Sequence, residues 1–393
     1  MSARPPLRDL RVPGEEDARR RAWAVAQAAL AERPAAAPRR GPVPPLGAVA
    51  TLCALVAVAA GLTSPGRATA EWVRARIASV ADPAPHHARR APTSTTALPG
   101  GGRILVVNDH GPTVLGLPTG TRVLLGAVDE AAWSPHGLYV AAVRGVELIA
   151  VDLRGRRRWH VAQPHAIRAP AWSPSGFRVA YLTGAPGSRT LRVVAGDGTG
   201  DRPVAAAGPV RPTWAPGTTT NVLAYLDGAG RITVRDVDSG AVLWRARPRA
   251  TPRTLSWSHD GHRLIAVGAR DVTAYTGRFG QVAGSRRAPH GTENVSGAFA
   301  PYGRRYVVVR RVRATGDHRL LLVAHGRERL LQVGSGPIRS VAWGPDGHWL
   351  VLDQPGRPAW SLMQLTARGP DIPRTLAPGR GARLSGWCCS TAS

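Results

Sequence analysis

Apolar positions along this chain follow three patterns, and each predicts a different element. Residues 46–62 run without a charge and are bounded by Pro44-Pro45 and Pro65. That length is the short end of what a helix needs to cross a bilayer. Before this run, Glu15-Glu16-Asp17 opens a segment with Trp23, Ala26 and Leu30 along one side, ending before Pro34. It reads as a short helix with acids at the favourable end of its dipole. Beyond residue 101 the pattern becomes short β-rich runs at 139–143, 179–182, 264–267 and 306–309. Turn residues precede each run, which is the mark of strands.

The turns repeat. Ala132-Trp133-Ser134-Pro135-His136-Gly137 returns as Ala171-Trp172-Ser173-Pro174-Ser175-Gly176, more loosely at Trp214, and again at Trp257, Phe299 and Trp343. The aromatic marks are 39, 42, 43, 42 and 44 residues apart. Pro in the second place presets φ and Gly in the fourth relieves the exit, so Ser-Pro-x-Gly predicts a type I turn. Aromatic strand, turn and apolar strand form one hairpin per period, and a period of about 40–45 residues predicts one four-stranded propeller blade. The Trp residues read as packing between blades. Trp387 stands 44 residues after Trp343 with small Gly386 before it, whereas the strand starting at Arg103 has no such turn before it. The fold expected is therefore an all-β propeller of seven blades, closed by residues 384–388 pairing with 103–108, since an open ring would expose two strand edges.

The Trp-Ser-Pro-x-Gly turn and its apolar strand resemble the WD40-like repeats of TolB-type propellers. The segment 191–204, with its Asp197-Gly198-Thr199-Gly200 turn, resembles that family's outer hairpin. The resemblance covers residues 101–390. It favours six blades as the alternative count and says little about activity, because propellers host unrelated functions. The Gly-His and Trp-Asp marks of WD40 repeats are absent, and the family's turn Asp stands only at Asp260 and Asp346.

Composition then bears on partners. All 52 basic residues are Arg, net charge is +27, and from residue 101 onward 38 Arg face 18 acids. Such a surplus attracts anionic lipid, acidic polymers or nucleic acid. No finger spacing or RNP-like strand is present, so no sequence-specific nucleic acid is expected. Cys388 and Cys389 read as two small residues of the closing strand, because adjacent cysteines bridge only with strain.

The chain divides into a cytoplasmic head (1–45), a transmembrane helix (46–62), a juxtamembrane helix and stalk (63–102) and the propeller (103–393). Ala68-Thr69-Ala70 offers a cleavage site, so a removed signal is the alternative to a retained anchor; the long polar leader favours the anchor. Nine Arg precede the span and five follow it before residue 101, although within twenty residues of each end the count is three against three; the wider count leans to an inward N-terminus and an outward propeller.

No nucleophile elbow, zinc motif or phosphate loop with Lys is present, and neither cofactor nor metal is expected. Asp236-Val237-Asp238 is a weak acid/base pair. One column carries a signal: four places before the aromatic marks stand Arg168, Arg253, Arg339 and Arg383, with Arg211 one place off its column. These five predict an anion-binding mouth of the central channel. The function expected is a membrane-anchored, extracytoplasmic binding, scaffold or sensor module for an anionic envelope polymer or protein partner. An extracytoplasmic hydrolase or lactonase using the channel is the alternative.

Overall fold

Three of the repeated turns, two Ser-Pro-x-Gly and the related Ser258-His259-Asp260-Gly261, are held twice. The amides of Gly137, Gly176 and Gly261 donate to the carbonyls of Ser134, Ser173 and Ser258, all at 2.9 Å. The serine hydroxyls then accept the amides of Tyr139, Arg178 and Arg263 at 2.9–3.0 Å. These three glycines adopt φ of 64–76°, a region where a Cβ is strained. The turn therefore delivers each aromatic strand into an antiparallel apolar one.

The computed structural model describes residues 98–99, 101–117, 120–217, 219–334, 336–366, 369–370 and 374–389. The expected head, the membrane span at 46–62 and most of the stalk lie outside these residues. Among the described residues no helix is long and apolar enough to cross a membrane.

Repeating the hairpin builds seven sheets, numbered here as blades in chain order. Blade 1 is Glu130–Trp133, Tyr139–Arg144, Glu147–Asp152 and Arg157–Ala162, each strand antiparallel to the next. The first strands of blades 2 to 6 are Ile167–Trp172, Thr213–Trp214, Thr254–Trp257, Thr292–Phe299 and Ser340–Trp343. Blade 7 takes its first strand, Arg383–Cys388, from the C-terminal end and its other three, Arg103–Asn108, Gly111–Leu117 and Gly120–Val123, from the N-terminal side. Ile104 faces Trp387 and Val107 faces Arg383 across that junction. The seven first strands touch one another in succession and close a ring. The fold is a seven-bladed all-β propeller, which decides against the six-bladed count.

The core is a series of layers between neighbouring blades. Val307, Val309 and Leu322 of blade 5 pack on Trp343, Leu350 and Met363 of blade 6. Ile104 and Trp387 of blade 7 pack on Trp349 and Trp360 of blade 6. Three of the inner Trp residues also key their blade to the one before it. Trp214 donates to Ala171 O (2.9 Å), Trp257 to Thr213 O (3.3 Å) and Trp343 to Ala298 O (3.1 Å). In each case the acceptor is the small residue preceding the aromatic mark of the previous blade, which explains why that position is small.

A second set of keys lies on the outer strands. Trp159 donates to Gly196 O at 2.8 Å and Trp244 to Gly277 O at 2.7 Å, each reaching the following blade. A Cβ on Gly198 would come within 2.6 Å of the Trp159 ring, and one on Gly280 within 2.3 Å of Trp244. Glycine is required there both for its left-handed φ, 88° and 67°, and for the close approach.

One expectation is corrected at the closing strand: Cys388 and Cys389 are joined to each other as a disulfide. Cys389 lies just past the strand at φ 56°, so the chain turns out of the extended form in which neighbouring side chains point apart. Both sulfurs rest on the first Ser-Pro turn, 3.8 Å from Ser134 O and 3.5 Å from Pro135 O.

Candidate functional site: an arginine rim and an arginine-lined cavity

The beginnings of the first strands define one face of the ring. Arg253 and Arg339 immediately precede the first strands of blades 4 and 6, and Arg383 begins that of blade 7. Arg168 is the second residue of the first strand of blade 2, and Arg211 stands two places before that of blade 3. All five are exposed. The contacts below join the start of one blade to the start of another, so these residues share one rim.

Acidic side chains engage three of the five, Arg211, Arg253 and Arg339. Arg211 pairs with Glu130 Oε2 at 2.5 Å and donates to Pro170 O at 2.7 Å. Glu130 Oε2 also accepts the amide of Ala169 at 3.0 Å, so one carboxylate links blades 1, 2 and 3. Ala169 sits at φ 55° in a register shift of its strand, a strained conformation for a residue with a Cβ. Arg253 donates to Asn294 O at 2.6 Å and to Glu293 at 3.2 Å, and Arg311 reaches the same Glu293 at 3.5 Å. Arg383 donates to Asp129 O at 2.9 Å. Arg168 forms no ion pair among the described residues.

Arg339 faces Asp353 at 3.8 Å. Asp353 is only 1% exposed, and its Oδ2 accepts the Leu384 amide at 3.1 Å and the Ser340 hydroxyl at 3.3 Å. Its Oδ1 is buried without a partner. Burial pushes this carboxyl above its ordinary pKa, against the opposing pull of the Leu384 amide and of Arg339. The rim is thus a belt of inter-blade contacts in which Glu130, Glu293 and Asp353 offset much of the arginine charge.

Uncompensated charge lies beside the rim. Between blades 4 and 5, on the same face, a cavity of about 570 Å³ is lined by Arg249, Arg270, Arg287 and Arg313, with Asp271, His290 and the 288–292 connection. The four arginines are exposed and form no ion pair among the described residues. The walls are held by Asn294, which is fully buried. Its amide nitrogens donate to Ala269 O (2.8 Å, main chain) and Gly268 O (3.2 Å, side chain), and its Oδ1 accepts from Arg310 at 3.0 Å. Arg310, 4% exposed, forks onto Glu328 at 2.8 and 2.9 Å. That fork holds Glu328 below the usual carboxylate range. Ala288 N to Arg270 O (2.8 Å) and Arg313 N to Gly291 O (2.9 Å) complete the frame.

These cavity arginines were missed by the column reading because they occupy no fixed offset. Arg249 precedes Trp257 by eight residues, while Arg287 precedes Phe299 by twelve. The remaining sequence candidates resolve into turns. The third strand of blade 3, Ile232–Asp236, ends at Asp236, whose Oδ1 accepts the Asp238 amide at 2.9 Å, while Asp238 pairs with Arg178 at 2.8 Å. Asp197 Oδ1 accepts the amide and hydroxyl of Thr199 at 3.0 and 2.7 Å. Among the described residues no three His, Cys, Asp or Glu side chains group as metal ligands.

No family model matches the chain, and no curated protein matches it. Solved structures do. A protein from Lactobacillus plantarum aligns at TM-score 0.55 and 17% identity, covering 72% of this chain and 99% of its own. Hydrazine synthase of Kuenenia stuttgartiensis aligns at TM-score 0.48 and 17% identity, covering 60% and 76%. At such identity the likeness concerns the fold alone, and the second alignment carries no further argument.

Proposed function

We propose that this protein is a membrane-anchored, extracytoplasmic binding propeller whose rim face takes an anionic ligand or an acidic protein surface. A ring that presents loops from every blade around one mouth suits a binding or scaffold role. The observation that carries the anionic reading is the framed cavity with four arginines and a single acid, Asp271. Guanidinium forks pair with phosphate or carboxylate in charge-assisted hydrogen bonds, which are stronger than neutral ones. The charge-free run at 46–62 and the long polar leader before it support the anchor, and the larger number of Arg before the run than between it and residue 101 supports the outward placement.

Two measurements test this reading. Full-length protein is titrated with pyrophosphate by calorimetry, alongside an Arg249→Gln/Arg313→Gln double variant. We expect the variant to bind about a hundredfold more weakly, roughly tenfold for each arginine. Equal affinities would remove the cavity from the function. For placement, an export-dependent reporter fused after Ser393 should be active, and activity of a cytoplasm-dependent one would reverse the orientation.

A further inference from the structure

The cavity between blades 4 and 5 carries information about more than charge. Its four guanidiniums and one carboxylate leave a local excess of three positive charges. A single monoanion leaves most of that excess in place, whereas two or more acidic groups on one molecule offset it. Arg249, on the connection from blade 3, and Arg313, past the second strand of blade 5, approach from different elements. Groups spaced along one ligand can therefore be met separately.

Asp271 adds the second requirement. It begins the third strand of blade 4, directly across from Arg287 in the register of that sheet. It is 9% exposed and lines the cavity, and Gly268 gives it room, since a Cβ there would meet Asp271 Oδ1 at 2.6 Å. An ionised carboxylate is an acceptor only. A ligand made solely of acidic groups meets repulsion at this point, while a hydroxyl donor completes it. No Trp, Tyr or Phe stands among the lining residues and His290 is the one ring there, so the cavity offers little aromatic surface on which a nucleobase stacks. A flexible hydroxylated backbone fits better. The Asn294 frame and the buried Arg310–Glu328 fork hold the two walls in place, and walls ordered before binding reduce the entropic cost of association.

Building on the anionic reading above, we infer that the cavity takes a sugar or polyol bearing at least two acidic groups. The arginines hold the phosphates or carboxylates and Asp271 accepts a ligand hydroxyl. A volume of about 570 Å³ suits a segment of one or two sugar units within the usual range of ligand sites.

The test compares two probes of similar charge on the full-length protein by calorimetry: glucose 1,6-bisphosphate, and 1,6-hexanediol bisphosphate, which lacks the ring hydroxyls. The sugar probe should bind at least about tenfold more tightly, the size of one charge-assisted hydrogen bond. In Asp271→Ala the gap should close to about twofold or less, while hexanediol bisphosphate binds more tightly because a repelling charge is gone. Digalacturonate, run in parallel, separates the sources of acidity: binding tighter than the bare diacid adipate extends the site to uronates, and binding no tighter confines it to phosphates. If both bisphosphates bind equally and both weaken in Arg249→Gln/Arg313→Gln, the hydroxyl requirement is overturned and the anionic site stands. If neither bisphosphate nor pyrophosphate binds, or the arginine variant changes nothing, both readings fall together.

Discussion

At the scale of single residues, the buried carboxyl of Asp353 shows how position decides chemistry. It sits where blade 6 meets the closing strand of blade 7, taking the Leu384 amide on one oxygen and leaving the other without a partner. Burial raises its folded pKa above the unfolded value, so between the two values the folded state binds more protons. Stability therefore falls as pH rises from the unfolded pKa through the raised one, and is regained on acidification. Asp353→Asn removes that titration while keeping an oxygen for Leu384. The melting temperature of the variant relative to wild type should rise as pH is taken from about 4 upward. A difference independent of pH would show that Asp353 does not titrate in this way. The turn serines make a simpler case. Ser258 is fully buried and its hydroxyl oxygen holds the Arg263 amide at 3.0 Å, so Ser258→Ala should cost about 1 kcal/mol in denaturant unfolding.

At the scale of elements, the closing blade and the tryptophan keys carry the fold. The closing strand supplies Trp387, which is 8% exposed and packs with Ile104 and Trp349. Its indole donates to Gly101 O at 3.2 Å. Trp387→Ala should cost about 3–5 kcal/mol, and unchanged thermal unfolding would mean that the ring does not depend on its clasp. Five successive blades also repeat a register shift between their third and fourth strands, as at Ala150/Val151 and Ala274/Tyr275. Such bulges add twist at a sheet edge and make it a poorer template for another chain. The outer keys are as demanding as the inner ones. Gly280→Ala combines a left-handed φ with a clash against the Trp244 ring, and stability should fall by about 1–3 kcal/mol.

At the scale of the whole molecule, the arginine surplus divides into two populations. One is spent on the rim, where Glu130 ties three blades together and Glu293 accepts two arginines. The other faces the cavity without acidic partners beyond Asp271. Exposed charges are screened over roughly 8 Å at physiological ionic strength. Pyrophosphate binding by wild type should therefore weaken steeply between about 0.05 and 0.5 M salt. The salt dependence should be shallower in Arg249→Gln/Arg313→Gln. Equal slopes would assign the attraction to the general surplus rather than to the cavity.

The sequence by itself determined the blade. Proline, glycine and an aromatic at fixed spacing act within a few residues of one another, so each turn and its two strands were legible from the local pattern. The count of seven was legible as well, because Trp387 continues the column although its blade partners lie at the far end of the chain. The residues of the arginine column stand at the starts of first strands, since an offset from the turn fixes height along the first strand. Which arginines are neutralised could not be read there. Glu130 meets Arg211 across 81 positions of sequence, and Glu293 meets Arg253 across 40. Those pairings follow from the rotation between blades. The cavity arginines lie on connections and outer strands with no common offset, and only the closing of two blades against each other brings them around one space. Local sterics write the repeat, whereas electrostatics between blades depends on distances that exist only after the ring has closed.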